Sequence, residues 1–171
     1  MGSMMRKKHL FIGIGVFWLL VLVLFIGMKE FTLRTGTEVV LHTLPIDPYD
    51  IFRGDYVTFK YEISELEIVG PASFAVGDTV YVGLTLDGKE IVAIGSPTLV
   101  RPSSIFIKGT VEEIWDNFLI IRYGIEDYFV PEGKGYDIET ADGEIDVLVA
   151  IDRFGNAGIK EIYEDGNRIR F

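Results

Sequence analysis

Ser103 and Ser104 precede Lys108 in the segment RPSSIFIK, residues 101–108. A serine next to a lysine whose pKa is lowered by burial forms the nucleophile–base pair of Ser–Lys hydrolases. If this segment is a strand, Ser104 and Lys108 share one face of it. The Ser-Met-x-Pro context of such nucleophiles is absent, so a turn after Pro102 is the simpler interpretation.

A group of acids, Asp47, Asp50, Asp55 and Glu62, has the residue types that hold a hard cation. Calcium takes six to eight oxygen ligands, and clustered carboxylates in a loop can supply them. The spacing does not follow the D-x-[DN]-x-[DN]-G pattern of an EF-hand loop. Asp47, which precedes Pro48, and Asp50 are also ordinary turn formers.

Two carboxylates, Glu126 and Glu132, flank Tyr128 and form a possible pair for acid–base chemistry. The two histidines, His9 and His42, are too few and too far apart for a histidine metal site. We therefore predict no catalytic, metal or cofactor site, and we favour a protein that is not an enzyme.

The elements that position these residues begin with an apolar run, 10–28, which contains no charge. Nineteen residues at about 1.5 Å each extend about 28 Å, close to the hydrocarbon thickness of a bilayer. A cleaved signal peptide has a shorter apolar core and a small-residue cleavage site. Lys29, Glu30 and Phe31 follow the run instead. The pattern predicts a retained transmembrane anchor.

Flanking charge predicts the orientation of this anchor. Arg6, Lys7 and Lys8 precede it without an acid, whereas the two basic residues beyond it are mixed with acids. The positive-inside rule then places the N-terminus in the cytoplasm and the chain beyond the anchor outside the cytoplasm, with the protein in the cell membrane. The predicted parts are a basic tail (1–9, with Gly2 and Ser3 resembling residues left by cloning), the anchor (10–28), a connector (29–36) and an extracytoplasmic domain (37–171).

The predicted domain is strongly acidic. All 26 acids but only 13 of the 16 basic residues lie beyond residue 28, which gives 13 − 26 = −13. This charge argues against nucleic-acid binding, which needs a basic footprint, and against docking on an anionic membrane surface. The chain has no cysteine, which excludes disulfides, iron–sulfur clusters and thiolate metal sites.

Short alternating runs rich in Val, Ile, Tyr, Phe and Thr fill the rest of the chain. Asp87-Gly88, Asp116-Asn117 and Asp165-Gly166 separate consecutive runs and predict hairpin turns. Such spacing predicts an all-β domain, a mainly antiparallel sandwich or barrel. The segment 62–72 is the one place where a short helix fits. The predicted strands are 37–44, 56–63, 79–86, 91–100, 105–114, 118–123, 144–151, 158–163 and 167–171.

The strand predicted over 56–63 has one apolar face and one polar face. Val57, Phe59, Tyr61 and Ile63 share the apolar face, and the hydroxyl of Tyr61 is expected to reach a partner or the rim of the core. Tyr56 lies on the polar face, where it either covers a second sheet or belongs to a recognition surface.

Two segments of this domain resemble the GDYXXLXY family of membrane-anchored proteins. The first is GDYVTFKY, 54–61, in which Phe59 replaces the leucine of the family name. The second is YGIEDYFVPEG, 123–133, which is similar to a later motif of that family. The resemblance covers roughly residues 37–163. It implies an N-terminal membrane helix and no assigned reaction or cofactor, and family members tend to occur beside polytopic membrane proteins.

This combination predicts a membrane-anchored binding or assembly module whose partner is another, polytopic, membrane protein. The alternatives are a signal-peptidase-like membrane serine hydrolase and a cation-binding domain. The partners expected are the lipid bilayer, through 10–28, and that membrane protein, but no nucleic acid. The candidate interaction surface consists of Arg53, Asp55, Tyr56, Glu126, Tyr128 and Glu132.

Overall fold

One continuous helix, α1 (Gly2–Thr35), opens the chain. The structure is a computed structural model that describes residues 2–44, 56–69, 73–131 and 143–170. Within α1, the segment Phe11–Thr35 is 25 residues long, and its most apolar 18-residue window has a mean hydropathy of 2.8 and contains no buried residue. At about 1.5 Å per residue this segment extends about 38 Å, longer than the roughly 30 Å hydrocarbon core. By length and composition, α1 can cross a bilayer once.

The junction between α1 and the first strand is direct. The predicted connector, 29–36, continues the helix as far as Thr35, so that only Gly36 separates helix from strand. Glycine is required there, because a Cβ would lie 2.6 Å from the Thr32 carbonyl oxygen and 3.0 Å from the backbone of Ile151. The end of the helix therefore sits against the sheet.

Beyond α1 the described chain is almost entirely β-structure, which confirms the predicted fold class. Alternating β-branched and aromatic residues suit a pleated surface that is buried on one side. The strands are β1 (Thr37–Leu44), β2 (Tyr56–Thr58), β3 (Lys60–Tyr61), β4 (Glu65–Glu67), β5 (Thr79–Asp87), β6 (Glu90–Ile94), β7 (Phe106–Trp115), β8 (Phe118–Arg122), β9 (Asp127–Phe129), β10 (Ile145–Ile151), β11 (Ala157–Glu164) and β12 (Asn167–Arg168).

The strands form two five-stranded antiparallel sheets and a separate two-stranded one. The first sheet has the order β12-β11-β10-β1-β3, the second has the order β4-β8-β7-β5-β6, and β2 pairs with β9. A single 3-10 turn, Glu62–Ser64, carries the chain from the edge of the first sheet into the second. At the other seam the Val40 N–H donates to the Lys89 carbonyl oxygen at 2.9 Å. The two sheets thus wrap around one core as a half-barrel.

Most predicted strands are present, with shifted ends. Only the part of the run 91–100 up to Ile94 belongs to a strand, β6, and beyond it Thr98 forms a single bridge with Tyr81 of β5. The run 56–63 is divided at Phe59 into β2 and β3. The region 62–72 was expected to hold a short helix. Its described part forms the single 3-10 turn and then β4. The sequence pattern missed β4 and β9, because three-residue strands are too short to show alternation.

The predicted buried face of 56–63 is confirmed. Val57, Phe59, Tyr61 and Ile63 are 3%, 4%, 0% and 2% exposed, respectively. They join one core with inward residues of both large sheets. The three predicted hairpins are also present, and Asp116, Asp165, Gly88 and Gly166 adopt positive φ in their turns.

Candidate functional site

The two motif segments lie side by side in the fold. β2 pairs with β9 in antiparallel register, with Tyr56 opposite Phe129, Val57 opposite Tyr128 and Thr58 opposite Asp127. Just beyond this pair, the Phe59 N–H donates to the Glu126 carbonyl oxygen at 2.7 Å. Segments almost seventy residues apart in sequence therefore form one structural unit, called the motif unit below (56–63 and 123–130).

Two buried tyrosines hold the motif unit together. The Tyr61 hydroxyl donates to the Ile125 carbonyl oxygen at 2.6 Å, and the Tyr123 hydroxyl donates to the Ile63 carbonyl oxygen at 2.7 Å. Burial, followed by the nearby charge of Glu126, raises the pKa of Tyr61 and that of Tyr123. Both phenols therefore stay neutral hydrogen-bond donors near neutral pH.

The Glu126 carboxylate has a local structural role. It accepts hydrogen bonds from the Tyr123 N–H at 2.5 Å and from the Gly124 N–H at 2.8 Å. Gly124 has a φ of 79°, a left-handed conformation that favours glycine. The Glu126 side chain is 14% exposed, with Arg122 Nε 3.7 Å from it. These contacts fix the turn before β9, and they leave the acid–base interpretation of Glu126 without support.

The outer side of the motif unit presents polar and aromatic groups. Arg122 Nη2 lies 3.0 Å from Asp127 Oδ2, and the Thr58 hydroxyl donates to Asp127 Oδ1 at 3.2 Å. Phe129 is 80% exposed, whereas Tyr128 is half-buried against the core. We call Thr58, Arg122, Asp127 and Phe129 the β2–β9 surface.

Three of the six predicted interaction residues fall within the described chain. Arg53, Asp55 and Glu132 lie outside the described residues, as do Asp47 and Asp50 of the acidic group. Tyr56, Glu126 and Tyr128 all belong to the motif unit. The interaction role of all six stays a prediction. Sequence reasoning overlooked Phe129 and Arg122, although the alternation of Asp127-Tyr128-Phe129-Val130 places Phe129 opposite to the buried Val130.

The Ser–Lys interpretation is not supported by the geometry. β7 begins at Phe106, so Ser104 lies before the strand and does not share its face with Lys108. Lys108 Nζ donates to Asn156 Oδ1 at 2.6 Å. Among the described residues, no group of three or more histidine or acidic side chains is placed to hold a metal ion.

His42 lines a cleft of about 220 Å³ between β1, the 3-10 turn and β6. Its Nδ1 lies 2.7 Å from Asp146 Oδ1, and its Nε2 lies 3.6 Å from Glu90 Oε2. Burial opposes the imidazolium, but the hydrogen bond and charge of Asp146, with Glu62 and Glu90, raise the pKa of His42. A histidine whose two ring nitrogens face carboxylates is poised as a charge partner and not as the base of a serine nucleophile.

These features describe a β protein carried on one apolar N-terminal helix, with two motif segments interlocked by buried tyrosines. The model of the GDYXXLXY family, described as GDYXXLXY protein, matches residues 18–162. The chain belongs to this family. Comparison with curated proteins and with solved structures found no match.

Proposed function

We propose that the protein is a membrane-anchored assembly module, whose extracytoplasmic β domain docks on another membrane protein through the β2–β9 surface. The observation that carries this proposal is the close packing of the end of α1 against the sheet. It holds the domain beside the bilayer, where a partner in the same membrane is the accessible target.

The junction is held by two contacts from the last turns of α1, just before Gly36. The Thr32 hydroxyl lies 3.2 Å from Asp152 Oδ2 in the loop after β10. Leu33 packs so closely on β11 that a Cβ at Gly158 would lie 2.9 Å from its Cδ2 atom. A domain held this way keeps one orientation relative to its helix. Two proteins confined to one membrane gain effective concentration, provided that their surfaces face each other.

The β2–β9 surface has the composition of a docking site. An 80%-exposed Phe129 lies in the strand that begins with Asp127, the carboxylate paired to Arg122. Aromatic and arginine side chains dominate the binding energy of protein interfaces.

The orientation of the anchor is the first point to test. Because Arg6, Lys7 and Lys8 precede the apolar run, we expect a single span with the N-terminus in the cytoplasm. Fusions of a topology reporter after residue 171 should be active only outside the cytoplasm. An active cytoplasmic reporter, or a mature chain that begins near residue 30, would contradict the proposal.

Docking is tested by site-specific crosslinking in native membranes. The chain lacks cysteine, so a single cysteine at Thr58 can carry a photoreactive group on the β2–β9 surface. We expect one membrane protein to be crosslinked, and we expect Phe129→Ala to abolish that product. Trp115→Ala is the matched control, because Trp115 is another aromatic residue with 68% exposure. Docking at this surface would be refuted if both alanine variants lost the product. It would also be refuted if the protein labelled at position 58, without either alanine substitution, gave no product.

A further inference from the structure

The loop between β10 and β11, residues 152–156, lies beside the membrane-proximal end of α1. Thr37 pairs with Ile151 at the start of the sheet, and the next residue, Asp152, contacts Thr32 of the helix. Thr32 lies one turn before the end of α1. The loop therefore extends from the sheet back toward the bilayer. Thr32 is only about 6 Å along the helix axis from Met28, the last residue of the uncharged run.

Hydrogen bonds hold the loop in a defined conformation. Asp152 Oδ1 accepts hydrogen bonds from the Phe154 N–H at 2.8 Å and the Asn156 N–H at 2.9 Å, and Oδ2 accepts one from Asn156 Nδ2 at 2.9 Å. Burial opposes ionisation, but these bonds outweigh it and lower the pKa of Asp152. The Gly155 carbonyl oxygen also accepts from the Lys108 N–H of β7 at 2.8 Å. The loop thus presents its remaining side chains in a fixed arrangement.

Two arginines stack on aromatic rings at this loop. Arg101 Cζ lies 5.0 Å from the Phe106 ring centre and 5.7 Å from that of Phe154, and Arg153 Cζ lies 4.6 Å from the Phe154 ring. Arg101 Nη2 also donates to the Arg153 carbonyl oxygen. Phe106 is buried, whereas Phe154 is 50% exposed and the adjacent Val100 is 75% exposed. We call Arg101, Phe106, Arg153 and Phe154 the Arg–Phe cluster.

The Arg–Phe cluster contains two arginines that have no acidic partner in the part of the chain that the structure describes. Within the described residues, neither Arg101 nor Arg153 forms an ion pair with a carboxylate. The nearest acid in sequence, Asp152, has its carboxylate occupied by the loop and Thr32. Basic residues that do pair with a carboxylate are Arg34, Lys60, Lys89, Arg122, Lys160 and Arg168.

We propose that the Arg–Phe cluster is a lipid-headgroup site, in which Arg101 and Arg153 bind phosphates of anionic phospholipids in the leaflet from which α1 emerges. A guanidinium can bind two phosphate oxygens at once, and Phe154 and Val100 enter the headgroup layer beside them. The net charge of −13 beyond residue 28 repels an anionic surface overall. The fold overcomes this locally, because two arginines without acidic partners are held at the end nearest to the bilayer.

This inference rests on α1 lying in a bilayer, and it does not depend on a protein partner. The test uses the full chain in lipid nanodiscs of phosphatidylcholine, with or without phosphatidylglycerol. A single cysteine at Val100 carries an environment-sensitive fluorophore. The control position is Glu144, which is exposed. It lies at the other end of β10, about 20 Å from the loop 152–156. We expect phosphatidylglycerol to shift the emission of the label at 100 to shorter wavelength, with no change at 144.

Substitutions then separate charge from folding. Each arginine near an anionic surface should change the ratio of docked to undocked domain about fivefold, so Arg101→Gln/Arg153→Gln should lower it about thirtyfold. Arg101→Lys/Arg153→Lys keeps the charge and should retain most of the shift. The matched control, Arg168→Gln/Arg170→Gln, removes the same charge at the far end of β11 and should change nothing. Arg153→Gln alone removes one of the two charges and, among side-chain contacts, only the stacking on Phe154. It therefore provides the fivefold test if the double variant unfolds.

Two outcomes would overturn the site. One is a label at Val100 that responds equally in both lipids, and the other is a glutamine pair that keeps the full response to phosphatidylglycerol. Alkaline extraction of the membranes from which the protein is purified distinguishes failure of the headgroup site from failure of the proposed function. Release of the full chain would overturn both proposals, whereas retention without a lipid-dependent shift would overturn only the headgroup site.

Discussion

Tyr61 and Tyr123 are reciprocal partners: the hydroxyl of each donates to the carbonyl oxygen two residues beyond the other, at Ile125 and at Ile63. Both side chains are buried, at 0% and 8% exposure. The two motif segments of the family therefore depend on each other for their conformation. The last tyrosine of the first segment and the first tyrosine of the second act in this pair as cross-links inside the core.

Removing either hydroxyl should destabilise the domain. Tyr61→Phe and Tyr123→Phe each leave a buried carbonyl oxygen without its donor, which costs about 1–3 kcal/mol in free energy of unfolding. Because both bonds join the same segments, we expect the double variant to deviate from additivity by at least about 0.5 kcal/mol. Urea unfolding followed by circular dichroism measures these values. Tyr81→Phe is the control, since the Tyr81 hydroxyl forms no hydrogen bond among the described residues, and an equal loss there would contradict the assignment.

Phe59 should be one of the most sensitive core positions. Its ring is 4% exposed and lies 6.3 Å from the ring of Tyr61, centre to centre. Phe59→Ala removes this packing, and we expect the free energy of unfolding to fall by about 3–5 kcal/mol. Phe59→Leu restores the residue of the family motif and should cost much less. A loss below about 1 kcal/mol for the alanine variant would mean that the core tolerates the cavity.

Two glycines at the junction of α1 and the sheet should respond differently to alanine. A methyl group at Gly36 meets backbone atoms that cannot move independently, so we expect Gly36→Ala to destabilise by about 1–3 kcal/mol. At Gly158 the methyl group meets only the end of the Leu33 side chain, which can rotate, so the loss should be smaller. Gly13→Ala has open space around it and serves as the control. Thermal unfolding of the full chain in detergent would show the order, and a larger effect at Gly158 would contradict it.

His42 should make stability depend on pH. Its pKa is raised above the ordinary value of 6.5, so the folded state binds this proton more tightly than the unfolded state. The resulting stabilisation is fully present below pH 6.5 and is lost as pH rises through the folded-state pKa. Because the side chain is 38% exposed, solvent screening keeps the effect below about 1 kcal/mol.

Melting curves of the wild type and Asp146→Asn between pH 5 and 8 test this sign. The melting temperature of the wild type should fall relative to that of the variant as pH rises. The reason is that only the wild type has the carboxylate that accepts a hydrogen bond from His42, at 2.7 Å. His42→Gln should remove the difference between the two. A wild type that gains relative stability with rising pH would contradict the assignment.

The sequence by itself determined the local structure of this protein. An uncharged run of helical length predicted α1, and the period of two in 56–63 identified the buried face that contains Phe59 and Tyr61. The predicted bounds of the first strand, 37–44, coincide with those of β1. These features depend on each residue's own side chain and its nearest neighbours, so they can be read from the order of residues alone.

Only the tertiary structure decided which segments meet. The Phe59 N–H donates to the Glu126 carbonyl oxygen, and the hydroxyls of Tyr61 and Tyr123 donate to other backbone carbonyl oxygens. A carbonyl acceptor is present at every residue, so no residue type marks it in the sequence. The position of 152–156 beside α1 likewise depends on the pairing of β10 with β1, which brings the end of β10 next to the end of the helix. Such contacts follow from packing two sheets and one helix around a shared core, which local pattern does not specify.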